Sequence, residues 1–178
     1  MLFINMVYKL FIPPNELLSK NVREWNSAES KIYFNWFLSI REQRIIAFLD
    51  FLSFQLKGDT IRDINEIGNK LTRQLFNPIF SESKDGVLDL TNKGYALITD
   101  YAIFISETLI KNYPVLKWEI VRKPKKDISY NLPSIFGFSK IDHIDMIRGA
   151  IANGKAILRN EETGEIWLKM YNFGISVL

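Results

Sequence analysis

The stretch 91–111 constrains the fold more than any other part of the chain. Its apolar side chains, Tyr95, Leu97, Ile98, Tyr101, Phe104, Ile105, Leu109 and Ile110, lie nearly all round a helical wheel rather than along one stripe. Such a helix has no face to give to water, so it belongs at the centre of a core with other elements packed about it. Thr91 is a suitable N-cap, Leu90 and Tyr95 stand at the spacing of a hydrophobic staple, and Pro114 marks the end. Asp100 and Glu107 interrupt the apolar surface, and no run in the chain approaches the roughly 20 apolar residues of a membrane span.

The elements around this helix are read from periodicity and punctuation. Asn26-Ser27-Ala28-Glu29 has the form of a capping box, with Ile32, Tyr33, Trp36, Phe37 and Ile40 following at helical spacing. The pattern resumes at Ile45, Phe48, Leu49, Leu52 and Leu56. One long helix and two helices broken near 39–42 fit equally well, with Gly58 as the stop. Asp59-Thr60 opens another helix, with Thr60 and Asp63 in capping-box positions, and Asn77-Pro78 stops it. Residues 7–12 read as a short strand ended by Pro13-Pro14, with Asn15 capping a turn or short helix over 16–20. Residues 81–89 read as a polar loop turning at Asp85-Gly86.

Beyond the central helix, residues 116–120 alternate with period two and read as a strand, and 128–138 as extended or irregular chain. Asp142 is the expected cap of a short helix to Ala152, closed by Asn153-Gly154. Residues 156–158 and 166–168 flank Glu161-Glu162-Thr163-Gly164 as a β-hairpin, with a final helix around 165–173 as the rival. The expectation is one α+β domain spanning 1–178, with a helical N-terminal two-thirds, a long central buried helix and short antiparallel strands in the C-terminal third.

The chain of 178 residues has no cysteine and one histidine. These counts remove thiolate nucleophiles, Cys-based metal sites and multi-histidine metal centres, and any Ser-His-Asp triad would have to use His143. No GxGxxG, GxxxxGK[ST] or GxSxG string is present, so no cofactor is expected. The apolar start, 1–12, lacks a basic leader and a small-residue cleavage site, and a cytoplasmic location is the expectation.

Three groups of residues stand out chemically. Asp100 and Glu107 are two helical turns apart and project from one face, a spacing open to acid–base work by buried carboxylates; pairing to arginine or to solvent is the plainer reading. Asp142, His143 and Asp145 hold metal-ligand types, but acidic residues at a helix start serve the helix dipole equally well. The third is a basic segment. Residues 117–126 contain Lys117, Arg122, Lys123, Lys125 and Lys126 against Glu119 alone, a net +4 in a chain of net +3. Everything outside the segment therefore sums to −1. With Trp118 and Tyr130 nearby, single-stranded nucleic acid is a conceivable ligand, although the overall composition argues against it and Trp118 alternates into the core side of its strand.

Two sets of residues carry a resemblance. Trp25-x3-Glu29-Ser30-x2-Tyr33-x2-Trp36-Phe37 followed by Arg44-Ile45 is one. Tyr101-Ala102-x3-Ser106-Glu107-Thr108-Leu109, with Trp118 and Asn131-Leu132-Pro133, is the other. Together they resemble small bacterial cytoplasmic proteins encoded among toxin systems, which act as immunity or accessory proteins. The resemblance implies a non-catalytic protein that works by binding another protein, such as a toxin. The residues expected to contact the partner are Lys117, Arg122, Lys123, Lys125 and Lys126. The alternatives are an enzyme or small-ligand binder using carboxylates of the central helix, and a weak nucleic-acid binder using the basic segment.

Overall fold

A computed structural model describes residues 8–178. Five α-helices and two small antiparallel sheets make up its regular structure, an α+β architecture. In chain order they are α1 (Ser27–Phe51), α2 (Thr60–Leu75), β1 (Ser81–Lys84), β2 (Val87–Leu90), α3 (Asn92–Asn112), β3 (Lys117–Ile120), β4 (Pro133–Phe136), β5 (His143–Ile144), α4 (Met146–Leu158) and α5 (Ile166–Ser176). Helix α3 is the core element that its sequence demands. It packs against α1, α2, α4 and α5, and Leu97, Ile98, Tyr101, Ile105 and Leu109 are fully buried around its circumference.

Local chemistry sets most of the boundaries. Asn26 accepts hydrogen bonds from the backbone N–H of Ala28 and Glu29 while Glu29 accepts from the N–H of Asn26, so α1 starts in a complete capping box. Helix α1 runs unbroken for 25 residues. It stops at Phe51, seven residues before Gly58: the N–H of Ser53 donates to Asp50 and that of Phe54 to Leu49, with Ser53 at φ 48°. This is the glycine-type helix stop made by a serine, so Gly58, the first glycine downstream, lies past the end of the helix. Asp59, not Thr60, caps α2 by accepting from the N–H of Arg62. Asp63 instead reaches back to the N–H groups of Lys57 and Gly58. Thr91 caps α3 through the N–H of Gly94, as expected.

Several other expectations give way to the structure. Residues 81–90 form a hairpin, with Ser81 opposite Leu90 and Lys84 opposite Val87, rather than an irregular loop. Asp85 and Gly86 both have positive φ, 53° and 79°, the pair of conformations that a two-residue hairpin turn requires. The turn signal was present, but the strands carry little apolar alternation because most of their side chains face water. No strand forms over residues 8–12, and Val7 lies outside the described residues. Tyr8 pins this segment instead, its ring packed edge-on against Phe51 and Phe80.

The largest revision is at the C-terminal end. Asp145, not Asp142, caps α4, and the helix continues past Gly154 to Leu158. Gly154 is a contact glycine: a Cβ there would lie 2.2 Å from Ile98 Cδ1, so its absence lets α4 close on α3. The 156–158/166–168 hairpin is absent. The second of those segments lies in α5, where Trp167 is fully buried against Tyr101 and Gly68 and its indole N–H donates to Thr72 Oγ1 at 2.9 Å. The remaining strands form one sheet in the order β3-β4-β5, with Trp118 opposite Ile135 and Phe136 opposite His143.

Candidate functional site

The two carboxylates of α3 have different surroundings. Asp100 is 1% exposed. Its Oδ1 accepts from Arg44 Nε and its Oδ2 from the Tyr8 hydroxyl, so an arginine of α1 and the N-terminal segment close over it. Burial pushes its carboxyl upward from the ordinary aspartate range, against the opposing pull of Arg44 and the Tyr8 hydroxyl. Burial and the facing carboxylate raise the Tyr8 phenol strongly, so it remains a hydrogen-bond donor. Glu107 is only partly buried. Its Oε1 accepts from Trp118 Nε1 at 2.7 Å and lies 3.2 Å from Arg41 Nε. Glu107 lines a groove that Asp100 does not reach, so the structure does not bring the two into one reaction site.

The residues read as possible metal ligands also separate. Asp145 is occupied as a helix cap, accepting from the Arg148 N–H at 2.9 Å and from Ser129 Oγ at 2.7 Å. His143 stacks on Phe136 and places Nε2 3.6 Å from Asp127 Oδ2, while Asp142 is exposed. Among the described residues no group of three or more His, Asp and Glu is arranged to hold a metal ion.

The basic segment divides into residues bound to the body and residues left outside it. Lys117 pairs with Glu119 on the same strand at 2.7 Å. Arg122 is half-buried and structural: its guanidinium donates to Ser30 Oγ, to Asn131 Oδ1 at 3.3 Å and to the Ser27 carbonyl at 3.4 Å, joining the end of β3 to the first turn of α1. Lys123, Lys125 and Lys126 are exposed, and among the described residues no carboxylate lies within ion-pair distance of them. Trp118, with its ring against Phe37, belongs to the core, as its alternation in β3 implies.

The loop carrying these lysines is held from beneath. Asn131, itself buried at φ 69°, donates through Nδ2 to the carbonyls of Val22 and Trp25 at 3.0 and 2.9 Å. The backbone N–H of Asn131 donates to Val121 and that of Asp127 to Pro124, the Lys123–Pro124 peptide being cis. Asp127 accepts from the N–H of Ser129, whose hydroxyl reaches the Asp145 cap of α4. These bonds anchor the base of the loop, and the three exposed lysines stand between the anchors, followed by Ile128 at 61% exposure. Charge counting located the segment. It did not separate Arg122 from its neighbours, because the partners Ser27, Ser30 and Asn131 come from two other parts of the chain.

Comparison with models of protein families, with curated proteins and with solved structures finds no match. The functional reading therefore stands on the residues and geometry above. Among the described residues no helix is long and apolar enough to cross a membrane.

Proposed function

We propose that this chain is a non-catalytic binding protein whose recognition element is the loop bearing Lys123, Lys125 and Lys126. The observation that carries this reading is the division of labour in the basic segment. Arg122 and Lys117 are bonded within the fold, whereas the three loop lysines have no ion partner among the described residues and stand on a loop anchored at its base by Arg122, Asp127 and Asn131. A pre-ordered loop loses little conformational entropy on association. Clustered charge speeds encounter with a face of opposite sign. The partner is then a protein with an acidic contact face, and neutralisation of a bacterial toxin in the cytoplasm is the specific form that the resemblance implies.

The test is the triple variant Lys123→Glu/Lys125→Glu/Lys126→Glu. Wild type is expected to retain an acidic protein partner, with affinity falling as salt rises, and the variant to lose it while its unfolding curve is unchanged. Equal retention by the variant removes the loop from the reading. Retention on heparin or single-stranded DNA at low salt, in preference to protein, would favour nucleic acid instead.

A further inference from the structure

A second site lies further along the same face of α3, toward its C-terminal end from Asp100. A groove of about 410 Å³ opens between the C-terminal half of α1, the 56–60 connection, the start of α2 and the last turns of α3. Ile45, Leu56 and Phe104 supply apolar wall, and Asp63, Glu107 and Lys111 are its charged members. This volume falls in the range of sites for small organic molecules, which combine apolar lining with a few fixed polar groups. Leu56 is 53% exposed beside the groove, whereas Phe104 is nearly covered, so the space has an apolar mouth and an apolar inner wall.

The two carboxylates give the groove its chemistry. Asp63 is buried and spent on the backbone N–H groups of Lys57 and Gly58, which fixes the 56–60 connection. Glu107 is held by its Oε1 alone, between the Trp118 indole and Arg41. Its Oε2 carries no hydrogen bond among the described residues. A carboxylate fixed through one oxygen and open at the other is a ready acceptor for a charged donor, and such charge-assisted bonds are the stronger kind. Arg41 on Oε1 and Lys111 in the lining balance the two carboxylates in charge, so the attraction for a cation rests on the open Oε2 of Glu107 rather than on a surplus of negative charge.

We infer that this groove binds a small amphipathic amine, with its apolar body against Ile45, Leu56 and Phe104 and its ammonium group on Glu107. This site is independent of the lysine loop, and the two readings stand or fall separately.

The test uses a matched pair of probes on the full chain, 2-phenylethylammonium and 3-phenylpropanoate, which share a phenyl body and differ in the sign of the head. Titration followed by amide resonances is expected to show saturable shifts at 56–63 and 104–112 with the amine, and binding at least about tenfold weaker with the carboxylate, the equivalent of one charge-assisted hydrogen bond. Glu107→Gln keeps an oxygen for Trp118 and is expected to weaken the amine about tenfold. Leu56→Arg, at an exposed position, places a cation at the mouth and is expected to do the same with the fold intact. Shifts that do not saturate, equal binding of the two probes, or unchanged amine affinity in both variants would overturn the inference.

Discussion

Two charged regions of this molecule use charge in opposite ways. Around Asp100, every charge is turned inward and matched: Arg44 and Tyr8 supply the bonds, and α1, α3 and the N-terminal segment are joined through them. Around residues 123–126 the flanking residues Arg122, Asp127 and Asn131 make the bonds and the lysine charges are left outside. The contrast teaches that unusual charge in a sequence marks function only where the fold has no use for it. Asp100 is an unexpected residue in an apolar helix, yet its carboxylate is consumed by packing. The three lysines are ordinary surface residues, clustered on one loop, and the fold makes no ion pair with them among the described residues.

Variants can break this contrast. The largest effect is expected at the buried pair. Asp100→Ala leaves Arg44 charged and unpaired in the core and should cost about 3–5 kcal/mol in urea unfolding. The double change Arg44→Met/Asp100→Leu should recover most of that loss, because well-packed apolar residues replace a buried ion pair at little cost. A double variant as unstable as the single one would mean that the pair carries more than its own desolvation. Next, Tyr8→Phe keeps the ring against Phe51 and Phe80 but removes the hydroxyl from Asp100. A loss of about 1.5–3 kcal/mol is expected, the value of a hydrogen bond to a charged group.

Smaller effects sharpen the line drawn through the basic segment. Arg122→Ala should cost about 1–2 kcal/mol, since it strips a donor from buried Ser30 and Asn131. Lys123→Ala, Lys125→Ala and Lys126→Ala should each stay within about 0.5 kcal/mol in the same assay. Equal losses at all four positions would erase the division. The last effect is a pH dependence. Burial raises the Asp100 carboxyl in the folded state, so the folded chain binds that proton more tightly than the unfolded chain does. Its contribution is fully present below the unfolded value, about pH 4, and is lost as pH rises through the folded value. The stability difference between wild type and Asp100→Asn should therefore be larger near pH 4 than near pH 7. A difference that grew with pH would mean that Arg44 and Tyr8 outweigh burial.

The parts of this fold legible in the sequence are those determined locally. The Asn26 capping box, the Thr91 cap and the all-round apolar pattern of α3 involve residues within a few positions of one another, and each appears where periodicity placed it. The parts that were not legible depend on distant partners. Gly154 resembles a helix stop, but its role is to admit Ile98 from another helix. Residues 166–168 are a short apolar run that fits a strand or a helix, and the helix wins, with Trp167 in a pocket formed by Thr72, Gly68 and Tyr101. The same holds for the candidate sites. The basic segment was visible as a charge anomaly, whereas the groove at Glu107 was not, because its lining comes from α1, α2 and α3 together.

The central claim is that the loop lysines are free for recognition because the fold does not need them. The direct measurement is paired: thermal unfolding and partner affinity of the variant Lys123→Glu/Lys125→Glu/Lys126→Glu, each against wild type. The account predicts an unchanged melting temperature together with loss of the acidic partner. A lowered melting temperature would show that the lysines serve the fold, and unchanged affinity would show that recognition lies elsewhere; either result contradicts the account.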